Sequence, residues 1–301
     1  MSAPGPLQGA GATYRGRFAP SPTGPLHAGS LLAAVASSLD AAHRSGEWLL
    51  RIEDLDSARS REQWRRSFRS DLARFGLRPS REPVLQSRRI ALYEDAIERL
   101  GAKRLLFRCA CTRRELAAEG EPCCLRDCRH RELDPRESAL RVDLGTLPTI
   151  TVQDRSLGPI VFNPKIHRDV VIRRRDGIIS YQLAVIVDDA LQEVTDVVRG
   201  ADLLPSTAWQ IALQHALDLP AVNYLHLPVL VEADGSKLAK SRHAAPVSAA
   251  AIIPALQQTL RWLRQDLPSP ETTQPDEWLR RAALSWDPAR FAGITEMAIE
   301  N

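Results

Sequence analysis

The chain has 301 residues, of which 44% are hydrophobic and 26% are charged, as expected for a soluble globular protein with one large domain or two modest ones. Its formal net charge of +3 permits nucleic-acid binding without arguing for it, because one face can be basic while the total is nearly neutral. The chain has no run of about 18 apolar residues, so no transmembrane helix is predicted. Residues 1–13 lack the basic and apolar regions of a signal peptide. We therefore expect a disordered tail and a cytoplasmic protein.

The first folded segment predicts a βαβ unit. A strand at residues 14–19 leads into a loop rich in Pro and Gly, and a helix begins near Ala28. Apolar residues recur at helical spacing up to Gly46, which we interpret as the glycine that ends this helix. A second apolar strand follows at residues 48–52. A strand, a helix and a strand within so short a segment predict two parallel strands.

The loop after the first strand carries the candidate chemistry. His27 lies at the N-terminus of the predicted helix beside Gly29. Glycine lets the backbone approach a ligand closely, and a helix N-terminus favours anions. A Rossmann-like turn with an incidental histidine explains the loop equally well by itself. A distant segment favours a functional role for this loop over the incidental histidine. The chain has only four lysines, and two of them, Lys237 and Lys240, lie three residues apart in that segment.

Two amphipathic helices are predicted next, and they can cover the sheet that the βαβ unit begins. The first covers residues 57–75, with an apolar stripe that we interpret as core. We expect Ser87 to be the N-cap of the second helix and Gly101 to mark its end.

All five cysteines lie between residues 109 and 128. Such clustering in a chain without a signal peptide favours a metal over disulfides, and free thiols are the alternative. A Cys-x-Cys pair and a second pair further on suit the four tetrahedral ligands of zinc, and four sulfur ligands would make the site structural. Arginines surround the cluster and indicate either an RNA-facing surface or an ordinary solvated face: Arg113, Arg114, Arg126, Arg129 and Arg131.

The second half of the chain predicts more of the sheet and a short C-terminal segment. Asp176-Gly177 is a hairpin signal, the segment 178–187 has buried strand or helix character, and Ser206 can cap a helix. An amphipathic helix at residues 248–267 and a linker precede residues 278–298, which are short and helical at best. Further strands are predicted at residues 139–144 and 149–162, which we assign to an inserted β region, and at residues 225–231. Residues 169–173 have the same buried strand or helix character as residues 178–187.

Together these stretches resemble the signature segments of class I aminoacyl-tRNA synthetases, and of their glutamate-specific branch in particular. His27-Ala28-Gly29-Ser30 resembles the His-Ile-Gly-His motif, with a serine for the last histidine. Residues 237–241 (KLAKS) resemble the KMSKS loop, with an alanine for its first serine. The resemblance covers about residues 14–245 and continues through residues 17–24 (RFAPSPTG), 51–56 (RIEDLD), 86–87 (QS), 176–177 (DG), 180–184 (SYQLA), 187–189 (VDD) and 198–204 (VRGADLL).

The resemblance implies an α/β fold in which a Rossmann-like parallel sheet carries an inserted α/β acceptor-type subdomain with a zinc knuckle. A short helical C-terminus would follow. Only 60 residues come after Ser241, so we expect no anticodon-binding domain, since a separate domain usually needs more. The implied division is a tail at 1–13, catalytic halves at 14–105 and 171–245, the insert at 106–170 and a helical segment at 246–301.

The resemblance also implies the residues of the site. Arg17 with Tyr181 would bind the side-chain carboxylate of glutamate, Arg199 with Ser21 its α-carboxylate, and Glu53 its ammonium group; arginine suits carboxylates because its guanidinium binds them bidentately. Phe18, Ala19 and Pro20 complete this glutamate pocket. The implied ATP-binding residues are His27, Gly29, Ser30, Lys237, Lys240 and Ser241, of which His27, Lys237 and Lys240 would be catalytic. The implied zinc ligands are Cys109, Cys111, Cys124 and Cys128, with Cys123 as the alternative to Cys124.

The implied reaction is activation of L-glutamate by ATP with Mg²⁺, without tRNA, followed by transfer of glutamate to a hydroxyl of RNA. The short paralogues in this branch, which the chain resembles most, act on queuosine in the anticodon stem-loop of tRNA(Asp). We expect a monomer. The alternatives are a minimal synthetase that charges the 3′ end of a tRNA, a non-catalytic RNA-binding paralogue and a nucleotidyltransferase, although the last would not need Glu53, Tyr181 and Arg199 together.

Overall fold

A seven-stranded sheet forms the centre of the structure, which is a computed structural model. It describes residues 13–118, 124, 128–145, 149–163, 168–232, 235, 246–247, 251–269 and 273–299. None of the helices in these ranges is long and apolar enough to cross a membrane. The strands, in chain order, are β1 (Arg15–Phe18), β2 (Glu47–Ile52), β3 (Val84–Leu85), β4 (Leu106–Cys109), β5 (Ala139–Asp143), β6 (Ile150–Asp154), β7 (Gly158–Phe162), β8 (Asp169–Arg173), β9 (Asp196–Gly200), β10 (Asn223–Leu227), β11 (Val229–Val231) and β12 (Glu296–Ala298).

The strand order of the large sheet is β3-β2-β1-β9-β10-β6-β7. β1 and β2 are parallel, with Arg17 opposite Leu49, which confirms the predicted βαβ unit. β1, β9, β10 and β6 are also joined by parallel pairs, and only β7 is antiparallel to its neighbour. β6 and β7 are predicted to belong to the insert, but they extend the large sheet instead. The insert's own sheet is antiparallel and consists of β4, β5 and β8.

Helices cover both faces of the large sheet. Trp48, Leu50 and Ile52 of β2 pack into one apolar cluster, and Leu49 packs into the other, as the two-residue period of a strand requires. The helices are α1 (Ala28–His43), α2 (Glu62–Arg74), α3 (Ile90–Ala102), α4 (Arg113–Ala118), α5 (Tyr181–Leu191), α6 (Leu204–Ala216), α7 (Ile252–Trp262) and α8 (Pro275–Leu284). The first cluster includes residues of α1, α2, α7 and α8, and the second includes residues of α3, α5 and α6.

Four predictions about helix ends are wrong. Gly46 does not end α1 with a positive φ, because Ser45 takes that conformation at φ 53°. Gly46 is required instead because a Cβ there would lie 2.4 Å from the carbonyl oxygen of Tyr14. Likewise Gly101 lies inside α3, and Arg104 has the positive φ. The position of a glycine does not identify these ends, because residues other than glycine can also take the positive φ that follows a helix.

The two serines predicted as N-caps have other roles. Ser87 lies in a 3-10 turn before α3, where its amide and its hydroxyl both donate to Asp54 at 2.8 Å. Ser206 lies inside α6, and its hydroxyl accepts a hydrogen bond from Gln182 at 2.9 Å. The Asp176-Gly177 turn is present, with Gly177 at φ 84°, but it leads to one β-bridge and then directly to α5.

The C-terminal segment contributes a strand as well as a helix. β12 pairs in parallel with β11, so the expectation of a helical segment at 278–298 is incomplete. The strand predicted at 225–231 is divided at Pro228 into β10 and β11. Trp286, beyond α8, donates from its indole nitrogen to Asp40 of α1 at 2.9 Å. These contacts attach the C-terminal segment to the face of the sheet that α1 covers.

Candidate active site

Two cavities meet at the carboxyl ends of the central parallel strands, where open α/β sheets usually bind ligands. The larger, which we call the large cavity, has a volume of about 1050 Å³ and is lined by Ser21, Glu53 and Tyr181 among others. The second, the loop cavity, has a volume of about 580 Å³ and is lined by His27, Gly29 and Ser30 among others. Ser21 lines both. The two cavities therefore adjoin at Ser21.

His27 begins α1 as its N-cap. The Nδ1 atom of His27 accepts a hydrogen bond from the amide of Ser30 at 3.4 Å. Gly29 permits this, because a Cβ there would lie 3.2 Å from the histidine ring. Burial lowers the pKa of His27, so the ring is neutral at pH 7 and its proton is on Nε2. The loop cavity thus offers an N–H donor at a helix N-terminus, an arrangement suited to phosphate.

Glu53 follows β2 and lies in the wall of the large cavity with a side chain that is 8% exposed. Burial raises the pKa of Glu53 to about 7, although Arg51 and Arg17 act in the opposite direction. The Nη2 atom of Arg51 lies 3.4 Å from Oε1 of Glu53. A cation in the cavity would stabilise the carboxylate and lower this pKa. Glu53 is therefore suited to bind an ammonium group.

Arg199 is buried beside the large cavity and contacts Tyr181. It is the last residue but one of β9, is 5% exposed and donates to the Tyr181 hydroxyl at 3.2 Å. It also donates to Gln210 at 2.7 Å and to Thr207 at 2.8 Å. Tyr181 thus contacts Arg199, and the expected use of Tyr181 with Arg17 for one carboxylate of the ligand stays a prediction.

Arg17 is 3% exposed and pairs with Asp189, a carboxylate that is not among the predicted site residues. Its Nε donates to Asp189 at 3.1 Å, and Arg51 donates to the same oxygen at 2.7 Å. The neighbouring Asp188 accepts from Tyr93 at 2.7 Å, and it also accepts hydrogen bonds from Gln86 and Arg89. The two aspartates of α5 thus connect β1, β2 and α3 beneath the site. The VDD segment was visible in the sequence, but its partners are distant along the chain.

The remaining candidate residues follow β1 or lie outside the described residues. Phe18 and Pro20 line the loop cavity with Ser21, and half-buried Ala19 lies between them in the chain. The lysine segment, with Lys237, Lys240 and Ser241, lies outside the described residues. Its role stays a prediction.

Four cysteine sulfurs come together in the insert. The Sγ atoms of Cys109, Cys111, Cys124 and Cys128 all lie within 4.8 Å of one another, and those of Cys111 and Cys124 are 3.9 Å apart. Tetrahedral zinc with Zn–S bonds of about 2.3 Å would separate its sulfurs by roughly 3.8 Å, so the cluster fits zinc. Cys123 lies outside the described residues.

The cluster is tied to the insert's sheet through Asp169 of β8, which accepts from the Cys124 amide at 3.1 Å. Arg129 has a structural role here, because it donates to Asp143 and Asp169 and lies 4.5 Å over the Phe107 ring. It is therefore not part of a freely solvated basic face, in contrast to the interpretation that groups it with its arginine neighbours.

One protein family matches most of the chain. The family model of "tRNA synthetases class I (E and Q), catalytic domain" matches residues 13–253. The chain belongs to this family. It is therefore a ligase of the aminoacyl-tRNA synthetase type.

Curated relatives and solved structures agree with this family. A glutamyl-Q tRNA(Asp) synthetase of Cupriavidus metallidurans is 45% identical over 91% of each chain. One of Xanthomonas campestris pv. campestris is 48% identical over 84% of each chain. A glutamate tRNA ligase from Elizabethkingia meningosepticum, solved in complex with its amino acid, has a TM-score of 0.77 at 23% identity over 96% of this chain and 67% of that chain. This last likeness supports the fold alone.

Proposed function

We propose that this protein activates L-glutamate with ATP and Mg²⁺ in the absence of tRNA, and transfers it to the queuosine at the wobble position of tRNA(Asp). The observation that carries the proposal is the meeting of the two cavities at Ser21. One cavity contains a carboxylate for an ammonium group beside half-buried Tyr181 and buried Arg199, and the other contains the His27 helix N-terminus. A carboxylate and a phosphate can thus be brought together where the cavities join.

In the first step, an oxygen of the glutamate α-carboxylate attacks the α-phosphorus of ATP and pyrophosphate leaves. Glu53 binds the ammonium group, and Arg199 with Tyr181 binds a carboxylate. Arg17, whose Nε is held by Asp189, binds the other carboxylate. The neutral His27 donates from Nε2 to a phosphate oxygen, and Lys240 neutralises charge as pyrophosphate departs. Such catalysis depends on positioning and electrostatic stabilisation.

In the second step, a hydroxyl of the acceptor attacks the activated carbonyl carbon, and AMP leaves. The large cavity has room for this partner, because its volume exceeds what an amino acid fills and it extends from Glu53 to Thr112 and Arg136 in the insert. The zinc knuckle of the insert would form the outer end of this path. Queuosine as the acceptor is supported by the names of the curated relatives.

Two assays test the proposal. Glutamate-dependent exchange of pyrophosphate into ATP, measured without tRNA, tests the first step, and exchange that requires tRNA would contradict tRNA independence. Labelled glutamate should then enter tRNA(Asp) from queuosine-containing cells and not from queuosine-deficient cells. Nuclease mapping should place the label in the anticodon loop. Label at the 3′ end would instead identify a minimal synthetase that charges tRNA.

A further inference from the structure

Three neighbouring strands of the large sheet place a buried set of polar side chains behind Arg199. His226 of β10 is the register partner of Arg199 on β9. Asp154 ends β6, the strand on the other side of β10. The side chains of His226 and Asp154 are fully buried, with 0% exposure. Groups enclosed in this way are held by their hydrogen bonds, because no solvent is available to replace them.

These hydrogen bonds determine which nitrogen of His226 carries the proton. Asp154 Oδ2 lies 2.6 Å from Nδ1 of His226, and an ionised carboxylate can only accept, so Nδ1 donates. The hydroxyl and amide of Ser156 lie 2.9 Å from the other oxygen of Asp154 and fix its orientation. The Nε2 lone pair of His226 is then the acceptor. It faces Nε of Arg199 at 3.4 Å and the Thr207 hydroxyl at 3.2 Å.

No carboxylate in the described part of the chain forms an ion pair with Arg199. Arg17, by contrast, is paired with Asp189. A buried guanidinium surrounded by neutral acceptors remains available to an anionic ligand. Among the described residues, the hydrogen-bond partners of Arg199 are Tyr181, Thr207, Gln210 and His226.

A protonated His226 would turn a donor and a second positive charge toward Arg199. Burial and the charge of Arg199 lower the pKa of His226, although Asp154 and Asp202 act in the opposite direction. The pKa of Asp154 is lowered in spite of its burial, because it accepts hydrogen bonds from His226 and from backbone amides. The pair is therefore an ionised aspartate and a neutral histidine, with the acceptor nitrogen toward Arg199.

We propose that Asp154 and His226 are positioning residues for glutamate binding: Asp154 fixes the His226 tautomer, and His226 orients the Arg199 guanidinium toward the ligand carboxylate. This inference rests on the proposed function, since it concerns the arginine assigned to glutamate. A role confined to stability would involve the Asp154 contact alone. A positioning role requires the acceptor at Nε2, and the two roles can be separated by substitution.

The test compares His226→Asn with His226→Gln in glutamate-dependent pyrophosphate exchange. The asparagine amide can donate to Asp154 in place of Nδ1 but leaves no acceptor at the Nε2 position, whereas the glutamine carbonyl can provide that acceptor. We expect His226→Asn to raise the KM for glutamate by about 10- to 100-fold, the effect of losing a hydrogen bond to a charged group. The KM for ATP should stay unchanged, and His226→Gln should restore most of the glutamate affinity.

The same substitution in an Arg199→Lys background should have little further effect, because residues that act through one group are not additive. Equal KM values for glutamate in the Asn variant and the wild type would overturn the inference, as would equal increases in the KM for glutamate and ATP. If His226→Asn does not fold, Thr207→Val provides a second test, because it removes another neutral acceptor of Arg199. Thr207→Val should raise the KM for glutamate and leave the KM for ATP unchanged. An unchanged KM for glutamate in this variant would also overturn the inference. Absence of glutamate-dependent exchange in the wild type would refute the proposed function instead.

Discussion

Glu53 makes the binding of glutamate depend on pH in a predictable direction. Its pKa of about 7 means that about one tenth of the protein has the carboxylate at pH 6 and about nine tenths at pH 8. Because the ammonium group of the substrate binds the carboxylate, the KM for glutamate should fall about ten-fold from pH 6 to pH 8. Glu53→Gln should raise the KM and remove this dependence. Burial lowers the pKa values of His27 and His226, so both rings stay neutral over most of this range.

The same pKa has a consequence for stability with a definite sign. The folded protein retains the Glu53 proton up to about pH 7, whereas a free glutamate loses it near its ordinary value of 4.5. This contribution to stability is present below pH 4.5 and is lost as the pH rises through 7. A shift of this size corresponds to about 3 kcal/mol at ~1.4 kcal/mol per pH unit. Glu53→Gln should therefore raise the free energy of unfolding at pH 8 by up to about 3 kcal/mol and change it little at pH 4.

The assays are pyrophosphate exchange at several pH values and urea unfolding at pH 4 and pH 8. The exposed Glu98 of α3 provides the control, because Glu98→Gln makes the same chemical change outside the site and should alter neither quantity. A wild-type KM for glutamate that is constant between pH 6 and pH 8 would refute the reasoning. So would a Glu53→Gln variant that is less stable than the wild type at pH 8.

Three further predictions follow from other parts of the chain. Lys240→Ala should lower pyrophosphate exchange by about 100-fold or more, the scale for losing one transition-state contact, and near-normal exchange in a folded variant would exclude this role. Elemental analysis should find about one zinc per chain. Cys124→Ser should lose the zinc and retain pyrophosphate exchange, whereas Cys123→Ser should keep the zinc. The reverse pattern would show that Cys123, not Cys124, is the zinc ligand. In urea unfolding, Gly46→Ala should destabilise the fold through the backbone contact described above, while Gly101→Ala, inside α3, should stabilise it by about 0.5–1 kcal/mol; equal effects would contradict this account.

Glycine and serine at helix ends show where local patterns fail. The spacing before Gly46 placed the end of α1 within a few residues, but the reason for this glycine is its approach to Tyr14, 32 residues earlier in the chain. Ser87 has the composition of an N-cap and instead supports Asp54. Such residues are compatible with several roles, and only the neighbours brought by the fold select one of them.

The sequence by itself determined the elements whose cause is local. Apolar periodicity and loop composition were enough for the parallel β1–β2 pair and for His27 at the start of α1, because both depend on residues close in the chain. Clustering alone indicated the cysteine site, which needs only a short segment to close.

The tertiary structure decided what depends on distant partners. It assigned Arg17 to Asp189 and placed Tyr181 beside Arg199. It also joined β6 and β7 to the large sheet, which brings Asp154 to His226. These pairings are set by burial, since a charged group removed from water must find a partner wherever the fold provides one. No local spacing records that choice, because the partners lie 18 to 172 residues apart.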